Sequence, residues 1–140
     1  MQASKSLQKN VSLSAVTLIL GGVRSGKSSY AEGLVRATSQ GRGVYLATAD
    51  AAQARDDPEM RARIEHHRKR RGEGWSTIEE PLALAETLLE KAGPETPVLV
   101  DCLTLWLANL MAAGRDVAAE INTLEETLPR LTGAVVFISN

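Results

Sequence analysis

The sequence has one cysteine, almost no net charge and no long apolar run. Cys102 stands alone among 140 residues, so no intramolecular disulfide can form, and a reducing cytoplasm is the expected compartment. The 16 Lys and Arg residues nearly balance 17 Asp and Glu residues, which argues against a general nucleic-acid surface. No apolar stretch is long enough to cross a membrane, and the first one leads directly into a glycine-rich loop with no signal-peptide cleavage site between them. Internal repeats and low-complexity segments are also absent from the sequence.

The most informative motif is a phosphate-binding loop with the pattern G-x-x-x-x-G-K-S. Its members are Gly21, Gly22, Val23, Arg24, Ser25, Gly26, Lys27 and Ser28. The glycine-rich turn lets backbone N–H groups point at nucleotide phosphates, the lysine reaches the β- and γ-phosphates, and the serine hydroxyl is a ligand for Mg²⁺. An apolar run over 15–20 precedes the loop and a helical pattern follows it, which is the context that the motif requires.

Apolar strands alternate with helices along the rest of the chain. Strands are predicted at 15–20, 43–48, 75–79, 97–101 and 134–139. Helices are predicted after the loop, from Pro58 with Asp57 as N-cap to about Arg71, from Pro81 to the Gly93-Pro94 stop, from Leu103 to about Ala113, and over 117–131. This order predicts an α/β fold of the P-loop NTPase type, with a mostly parallel sheet buried between helices on both faces.

The ends of the chain carry expectations of their own. Residues 1–14 are polar and irregular, so we expect a flexible tail before a nucleotide-binding domain over 15–140. The chain stops directly after a core strand at Asn140. We therefore expect the domain to be incomplete at its C-terminus.

Asp101 closes the apolar strand over 97–101. A carboxylate in this position holds Mg²⁺ in the Walker B arrangement, because ligands of parallel sheets gather beyond the carboxyl ends of the strands. It could also cap the helix that begins near Leu103, and the two roles are compatible. Cys102, which follows it, is expected to be a buried and inert thiol.

The helix over 58–71 is rich in charge and contains both histidines. A solvated surface helix is the ordinary explanation for such a run. Helical spacing, however, surrounds His66 with Arg63, Lys69 and Arg70, cations that disfavour its protonation and attract phosphate oxygens. A neutral imidazole beside such cations is a candidate nucleophile. Zinc binding is less favoured, since adjacent side chains diverge by about 100° on a helix.

Two carboxylates, Glu79 and Glu80, lie between the strand over 75–79 and Pro81. Glu80 is suited to cap or charge-stabilise the next helix. Glu79 is suited to contact a sugar hydroxyl or a metal. Spacing alone does not choose between these roles.

Together the segments resemble the bifunctional adenosylcobinamide kinase/adenosylcobinamide-phosphate guanylyltransferase family of cobalamin biosynthesis. The resemblance rests on the loop at 21–28 with Ala31-Glu32, and on the segments 45–49, 57–60, 63–68, 75–81 and 100–109. The Asp-x-Glu-Met run into Arg-Ile-x-x-His, followed by Trp-x-Thr-x-Glu-x-Pro, is far more specific than the loop alone.

The resemblance implies a RecA-like P-loop sheet, a homotrimer for the complete protein, and two reactions with Mg²⁺, GTP, ATP and adenosylcobinamide. A nucleoside triphosphate phosphorylates adenosylcobinamide, and GMP then passes from GTP through a guanylyl-histidine to give adenosylcobinamide-GDP. The nucleophile falls on His66. Beyond the loop, the implied nucleotide contacts are Thr48, Ala49, Asp50, His67, Arg68, Lys69, Arg70, Glu79 and Asp101, with Ser28 and Asp101 as metal ligands. The alternatives are a monofunctional P-loop kinase or NTPase and an inactive nucleotide-binding fragment.

Overall fold

A computed structural model describes residues 15–39, 42–50 and 56–140. The expected tail at 1–14 lies outside these ranges. Five strands are present in them: β1 Val16–Leu20, β2 Gly43–Ala47, β3 Trp75–Glu79, β4 Val98–Asp101 and β5 Val135–Ser139. The α-helices are α1 Lys27–Ser39, α2 Pro58–Arg71, α3 Leu84–Lys91, α4 Leu103–Ala112 and α5 Val117–Thr127, and a 3₁₀ turn Leu128–Arg130 follows α5.

The described strands form one parallel sheet in the order β1-β5-β4-β2-β3. Thr17 pairs with Val136, Leu99 with Val136 on the other side, and Ala47 with Asp101. All carboxyl ends therefore lie along one edge, where the phosphate loop leaves β1. The predicted α/β fold is confirmed, and every described strand pair is parallel.

Alternate residues of the central strands pack into two separate cores. On one face, Val98 and Val100 of β4 contact the helices α3, α4 and α5. On the other face, Leu99 packs with Ala31 and Val35 of α1. Burial on both faces explains why these strands are apolar without alternation in the sequence.

β1 departs from the prediction of a strand buried on both faces. Among the described residues it pairs with β5 alone, and Val16, Leu18 and Leu20 are exposed, while Ile19 packs on the α1 side. The described helices cover only one face of this strand. Periodicity could not have revealed this, because a continuous apolar run carries no signal for which face is covered.

The helix predicted from Pro81 begins at Leu84, three residues later. The Glu80 carboxylate accepts hydrogen bonds from the backbone N–H groups of Leu82 (3.1 Å) and Ala83 (3.0 Å). The indole N–H of Trp106 donates to the Leu82 carbonyl at 2.9 Å. These bonds hold residues 81–83 in a turn, so Glu80 stabilises the entry to the helix and the predicted start is wrong.

The start of α2 follows the prediction closely. Asp57 is the N-cap, its carboxylate accepts from the Met60 N–H at 3.1 Å, and Pro58 is the first helical residue. Gly72 follows the helix with φ of 74°, a conformation that favours glycine. α5 ends at Thr127 rather than continuing to Leu131 because the chain tightens into a 3₁₀ turn.

We expect Leu88→Ala to lower the free energy of unfolding by about 2–5 kcal/mol, because Leu88 is 0% exposed and truncation leaves a cavity in the larger core. Urea denaturation measures this change. Leu89→Ala, on the same helix but 39% exposed, is the matched control and should cost less than about 1 kcal/mol. Equal losses at the two positions would contradict the assigned core face of α3.

Candidate active site

The phosphate loop joins β1 to α1 in a conformation that its glycines permit. Gly26 has φ of 82°, in the left-handed region, and Arg24 also has a positive φ of 64°. A Cβ atom added to Gly21 would lie 2.6 Å from the Ser25 hydroxyl oxygen. The turn closes through a hydrogen bond from the Ser25 N–H to the Gly22 carbonyl at 3.2 Å. The strand–loop–helix context predicted for the motif is confirmed.

The loop forms one wall of a cavity of about 430 Å³, which we call the phosphate-loop cavity. Its lining residues are Val23, Arg24, Ser25, Gly26, Lys27, Ser28, Ser29, Arg63, His67, Arg70 and Asp101. The Lys27 ammonium group donates to the Gly22 carbonyl at 3.0 Å. Because α1 begins at Lys27, its N-terminal N–H groups and positive dipole end also lie at this cavity, a suitable environment for phosphate.

Asp101 ends β4 and lines this cavity opposite the loop. One of its carboxylate oxygens accepts a hydrogen bond from the Tyr45 hydroxyl. The alternative role as a helix cap belongs to Cys102 instead, whose sulfur accepts from the Leu105 N–H at 3.4 Å. Cys102 is only half-buried, which corrects the prediction of a buried thiol, and burial raises the pKa of that thiol.

The oxygen donors present fit a magnesium ion. Ser28 and Asp101 line one cavity, and Mg²⁺ commonly takes one or two protein oxygens together with phosphate oxygens and water. Across residues 15–39, 42–50 and 56–140, no three His, Cys, Asp or Glu side chains are grouped as a metal cage. The protein oxygens therefore suit a metal whose coordination is completed by phosphate oxygens and water.

A second cavity of about 230 Å³, the strand-end cavity, adjoins the first. It is lined by Tyr45, Ala47, Ala49, Met60, Arg63, Ile64, His67, Arg71, Thr77, Glu79, Asp101, Cys102 and Leu105. Arg63, His67 and Asp101 belong to both cavities. The two cavities are thus neighbouring parts of one site at the carboxyl edge of the sheet.

Helix α2 is fixed to the phosphate-loop helix by a two-pronged ion pair. Arg70 donates from Nε and Nη2 to the two carboxylate oxygens of Glu32, both at 3.1 Å. Glu32 lies on α1 and is 1% exposed, and Arg36 approaches it at 3.8 Å. This pair sets the distance between the loop and the histidine-bearing helix.

His67, rather than His66, faces the cavities. Its Nδ1 lies 3.0 Å from Nη2 of Arg70. A guanidinium has only N–H donors, so Nδ1 must be the acceptor and is unprotonated. Burial, and next the charge of Arg70, lowers the pKa of His67, which favours the neutral ring with its proton on Nε2.

The structure differs from the predicted surroundings of His66 at Arg70. His66 is exposed, lines neither cavity, and makes an edge contact with His67 at 6.1 Å between ring centroids. Arg70, expected beside His66, turns to Glu32 and His67 instead. The buried Glu32 carboxylate attracts the Arg70 guanidinium more strongly than a solvated surface does. Because Glu32 lies on another helix, the spacing of residues within α2 gives no information about this contact.

The remaining residues implied by the resemblance occupy varied positions. Ala49 and Glu79 line the strand-end cavity, and Asp50 is half-buried beside Ala49. The Thr48 hydroxyl, by contrast, is buried and donates to the Cys102 carbonyl at 2.8 Å. Arg68 and Lys69 are exposed and line neither cavity.

Sequence reasoning missed three side chains at the site: Glu32, Tyr45 and Arg71. Glu32 is next to Ala31 in the sequence and lies beside the apolar face of α1 that carries Ala31 and Val35. A carboxylate in that position was an available signal of a buried charge. Tyr45 and Arg71 had none, since an aromatic residue in a strand and an arginine in a basic helix are both ordinary.

None of the helices in the described ranges has the length and apolarity needed to cross a bilayer.

Comparison with known proteins identifies a matching family and several similar sequences. A family model described as cobinamide kinase/cobinamide phosphate guanyltransferase matches residues 17–140. The bifunctional adenosylcobalamin biosynthesis protein CobP of Pseudomonas aeruginosa is 48% identical over 126 residues, covering 88% of this chain and 69% of the relative. The bifunctional adenosylcobalamin biosynthesis proteins CobU of Escherichia coli and Salmonella typhimurium are 37% and 33% identical over 138 residues, covering 88% of this chain and 73% of each relative.

The lowered pKa of His67 has a consequence for stability. In the unfolded chain this ring binds a proton with the ordinary pKa of about 6.5. In the folded protein the pKa is lower, so at pH 6.5 the unfolded state binds more protons than the folded state. The free energy of unfolding should therefore fall as the pH drops below about 6.5. Above that pH the ring is neutral in both states, and this destabilisation should disappear. Urea denaturation between pH 5 and 8 should give a shallower dependence for His67→Gln. Identical slopes for the two proteins would contradict the assignment.

Proposed function

The chain belongs to the cobinamide kinase/cobinamide phosphate guanyltransferase family, and we propose that the site at the carboxyl edge of its sheet serves both reactions of that family. The protein is a bifunctional adenosylcobinamide kinase and adenosylcobinamide-phosphate guanylyltransferase of cobalamin biosynthesis. One observation carries the proposal for the site. The phosphate loop, the acidic end of β4 and the histidine-bearing helix α2 enclose connected cavities that share Arg63, His67 and Asp101.

In the kinase step, the aminopropanol hydroxyl of adenosylcobinamide attacks the γ-phosphate of a nucleoside triphosphate, and the nucleoside diphosphate leaves. We assign the triphosphate to the loop residues Gly21–Ser28, where Lys27 and the N-terminus of α1 supply positive charge. Ser28 and Asp101 would hold Mg²⁺. When bound, this ion neutralises charge on the phosphate oxygens.

In the transfer step, an imidazole nitrogen of His66 attacks the α-phosphate of GTP. The bond to the β-phosphate breaks, pyrophosphate leaves, and a guanylyl-histidine results. A phosphate oxygen of adenosylcobinamide phosphate then attacks the same phosphorus, breaks the phosphorus–nitrogen bond and takes GMP. Arg63, which lines both cavities, is suited to offset the charge that develops during these steps.

Hydrogen bonding supports His66 over its neighbour as the nucleophile. The lone pair on Nδ1 of His67 is engaged by Arg70, and the remaining proton of the neutral ring is on Nε2. His67 therefore has no free nitrogen lone pair, and we propose that it contacts phosphate as a donor. His66 is exposed and has to turn towards the cavity to reach the α-phosphate.

Other nucleotide contacts are proposed with different support. Ala49, Arg70 and Glu79 line the cavities. For Thr48, Asp50, Arg68 and Lys69 the support is the family resemblance. The same resemblance supports a homotrimer, which sedimentation velocity would detect, and the single cysteine supports a cytoplasmic location.

Lys27→Ala should weaken the binding of GTP by roughly 10- to 150-fold, because a charge-assisted contact to phosphate contributes roughly 1.5–3 kcal/mol. Isothermal titration calorimetry in Mg²⁺ measures the affinity. Lys91→Ala, which removes a lysine at the end of α3, is the matched control and should bind GTP as the wild type does. Unchanged affinity in Lys27→Ala would exclude the loop as the triphosphate site.

His66→Ala should abolish covalent labelling by GTP that carries the label at its α-phosphate, whereas His67→Ala should keep a detectable label. Denaturing electrophoresis after incubation with Mg²⁺ detects the acid-labile adduct. Calorimetry with GTP and thermal unfolding would establish that both variants are folded and bind nucleotide.

Label that is lost in His67→Ala but retained in His66→Ala would reassign the nucleophile. Transfer of the γ-phosphate without any label in a folded, GTP-binding wild type would favour the monofunctional kinase.

A further inference from the structure

Behind the Asp101 carboxylate lies a stack of two buried side chains. The Tyr45 hydroxyl donates to Oδ2 of Asp101, and the Arg71 guanidinium lies 3.6 Å from the centroid of the Tyr45 ring. Tyr45 lies in β2, Asp101 ends β4 and Arg71 is the last residue of α2. All of them line the strand-end cavity, and Asp101 alone also lines the phosphate-loop cavity.

Tyr45 can act only as a donor towards the carboxylate. The residue is 7% exposed, and its hydroxyl lies within hydrogen-bond distance of Oδ2 of Asp101. An ionised carboxylate has only acceptor atoms, so the phenol O–H must be the donor. A carboxylate with one oxygen held in this way loses rotational freedom about its terminal torsion, so the direction of its second oxygen is restricted.

Arg71 contacts the Tyr45 ring, but its burial does not stabilise the fold. It is 6% exposed, its Nη2 donates to the Thr77 hydroxyl at 3.4 Å, and its Nη1 has no hydrogen-bond partner among the described residues. A buried cation without a paired carboxylate costs free energy, which contact with an aromatic face offsets only in part. Its position over Tyr45 polarises the phenol and strengthens donation to Asp101.

We propose that Tyr45 is a positioning residue for nucleotide binding: it orients Asp101 towards the magnesium-bound triphosphate, and Arg71 holds the tyrosine ring in place. The inference rests on the proposed function, since it presumes that Asp101 meets Mg²⁺ in the phosphate-loop cavity. Tyr45 itself faces the strand-end cavity and acts through the carboxylate.

Tyr45→Phe removes the hydroxyl and keeps the ring under Arg71. We expect the affinity for GTP in Mg²⁺ to fall by roughly tenfold, from the loss of a hydrogen bond to a charged group. The affinity in excess EDTA should stay within about twofold, because the loop binds phosphate without Asp101. Calorimetry under both conditions separates this effect from a structural one, which would weaken binding in both.

Two further variants sharpen the result. Tyr30→Phe changes the other tyrosine of the chain, which is exposed on α1 and lines neither cavity, and it should leave both affinities unchanged. In an Asp101→Asn background, Tyr45→Phe should change the affinity in Mg²⁺ by less than about twofold, because the two residues act as one unit. Additive losses would overturn the proposal.

Arg71→Lys keeps a cation and removes the planar stack, so it provides an independent test should Tyr45→Phe not fold. This variant should bind GTP about threefold more weakly in Mg²⁺, and its affinity for GTP in EDTA should be unchanged. A wild type that binds no GTP would refute the proposed function. A wild type that binds GTP, with Tyr45→Phe equally tight in Mg²⁺, would refute the positioning role alone.

Discussion

The bidentate ion pair between Arg70 and Glu32 is the contact on which the geometry of the site depends. It joins the helix that follows the phosphate loop to the helix that carries both histidines, with two bonds of 3.1 Å. A carboxylate that is 1% exposed has no solvent to replace a lost partner, so separating the pair would leave a buried charge with only Arg36, at 3.8 Å, beside it. The wall that α2 contributes to both cavities is therefore fixed relative to the loop.

The same arginine also determines the chemistry of one histidine. By donating to Nδ1 of His67, Arg70 occupies the lone pair that a nucleophile needs, and with burial it lowers the pKa of the ring. Two histidines adjacent in sequence consequently have different chemistry. His67 is suited to donate hydrogen bonds within the cavities, whereas the exposed His66 is the proposed nucleophile.

Sharing of side chains gives a physical basis for two reactions at one site. Asp101 and His67 belong to both cavities, so a phosphate in one cavity and an acceptor in the other would meet beside the same groups. Both reactions transfer a phosphorus atom between oxygen or nitrogen nucleophiles, and both need neutralisation of the charge that develops on phosphate oxygens. One arrangement of loop, carboxylate and basic helix suits the two.

Local patterns were enough for the loop and the N-cap of α2, because each depends on residues close together in the chain. The parallel sheet was predicted from the alternation of apolar strands with helices, although its strands pair residues far apart in the chain. The sequence by itself determined the phosphate loop through Gly21, Gly26 and Lys27, and the buried strands through their apolar runs. Only the tertiary structure decided that Arg70 pairs with Glu32 and His67, that Tyr45 supports Asp101, and that β1 leaves one face exposed. Those contacts join residues up to 56 positions apart, and their strength comes from burial, which no local pattern encodes.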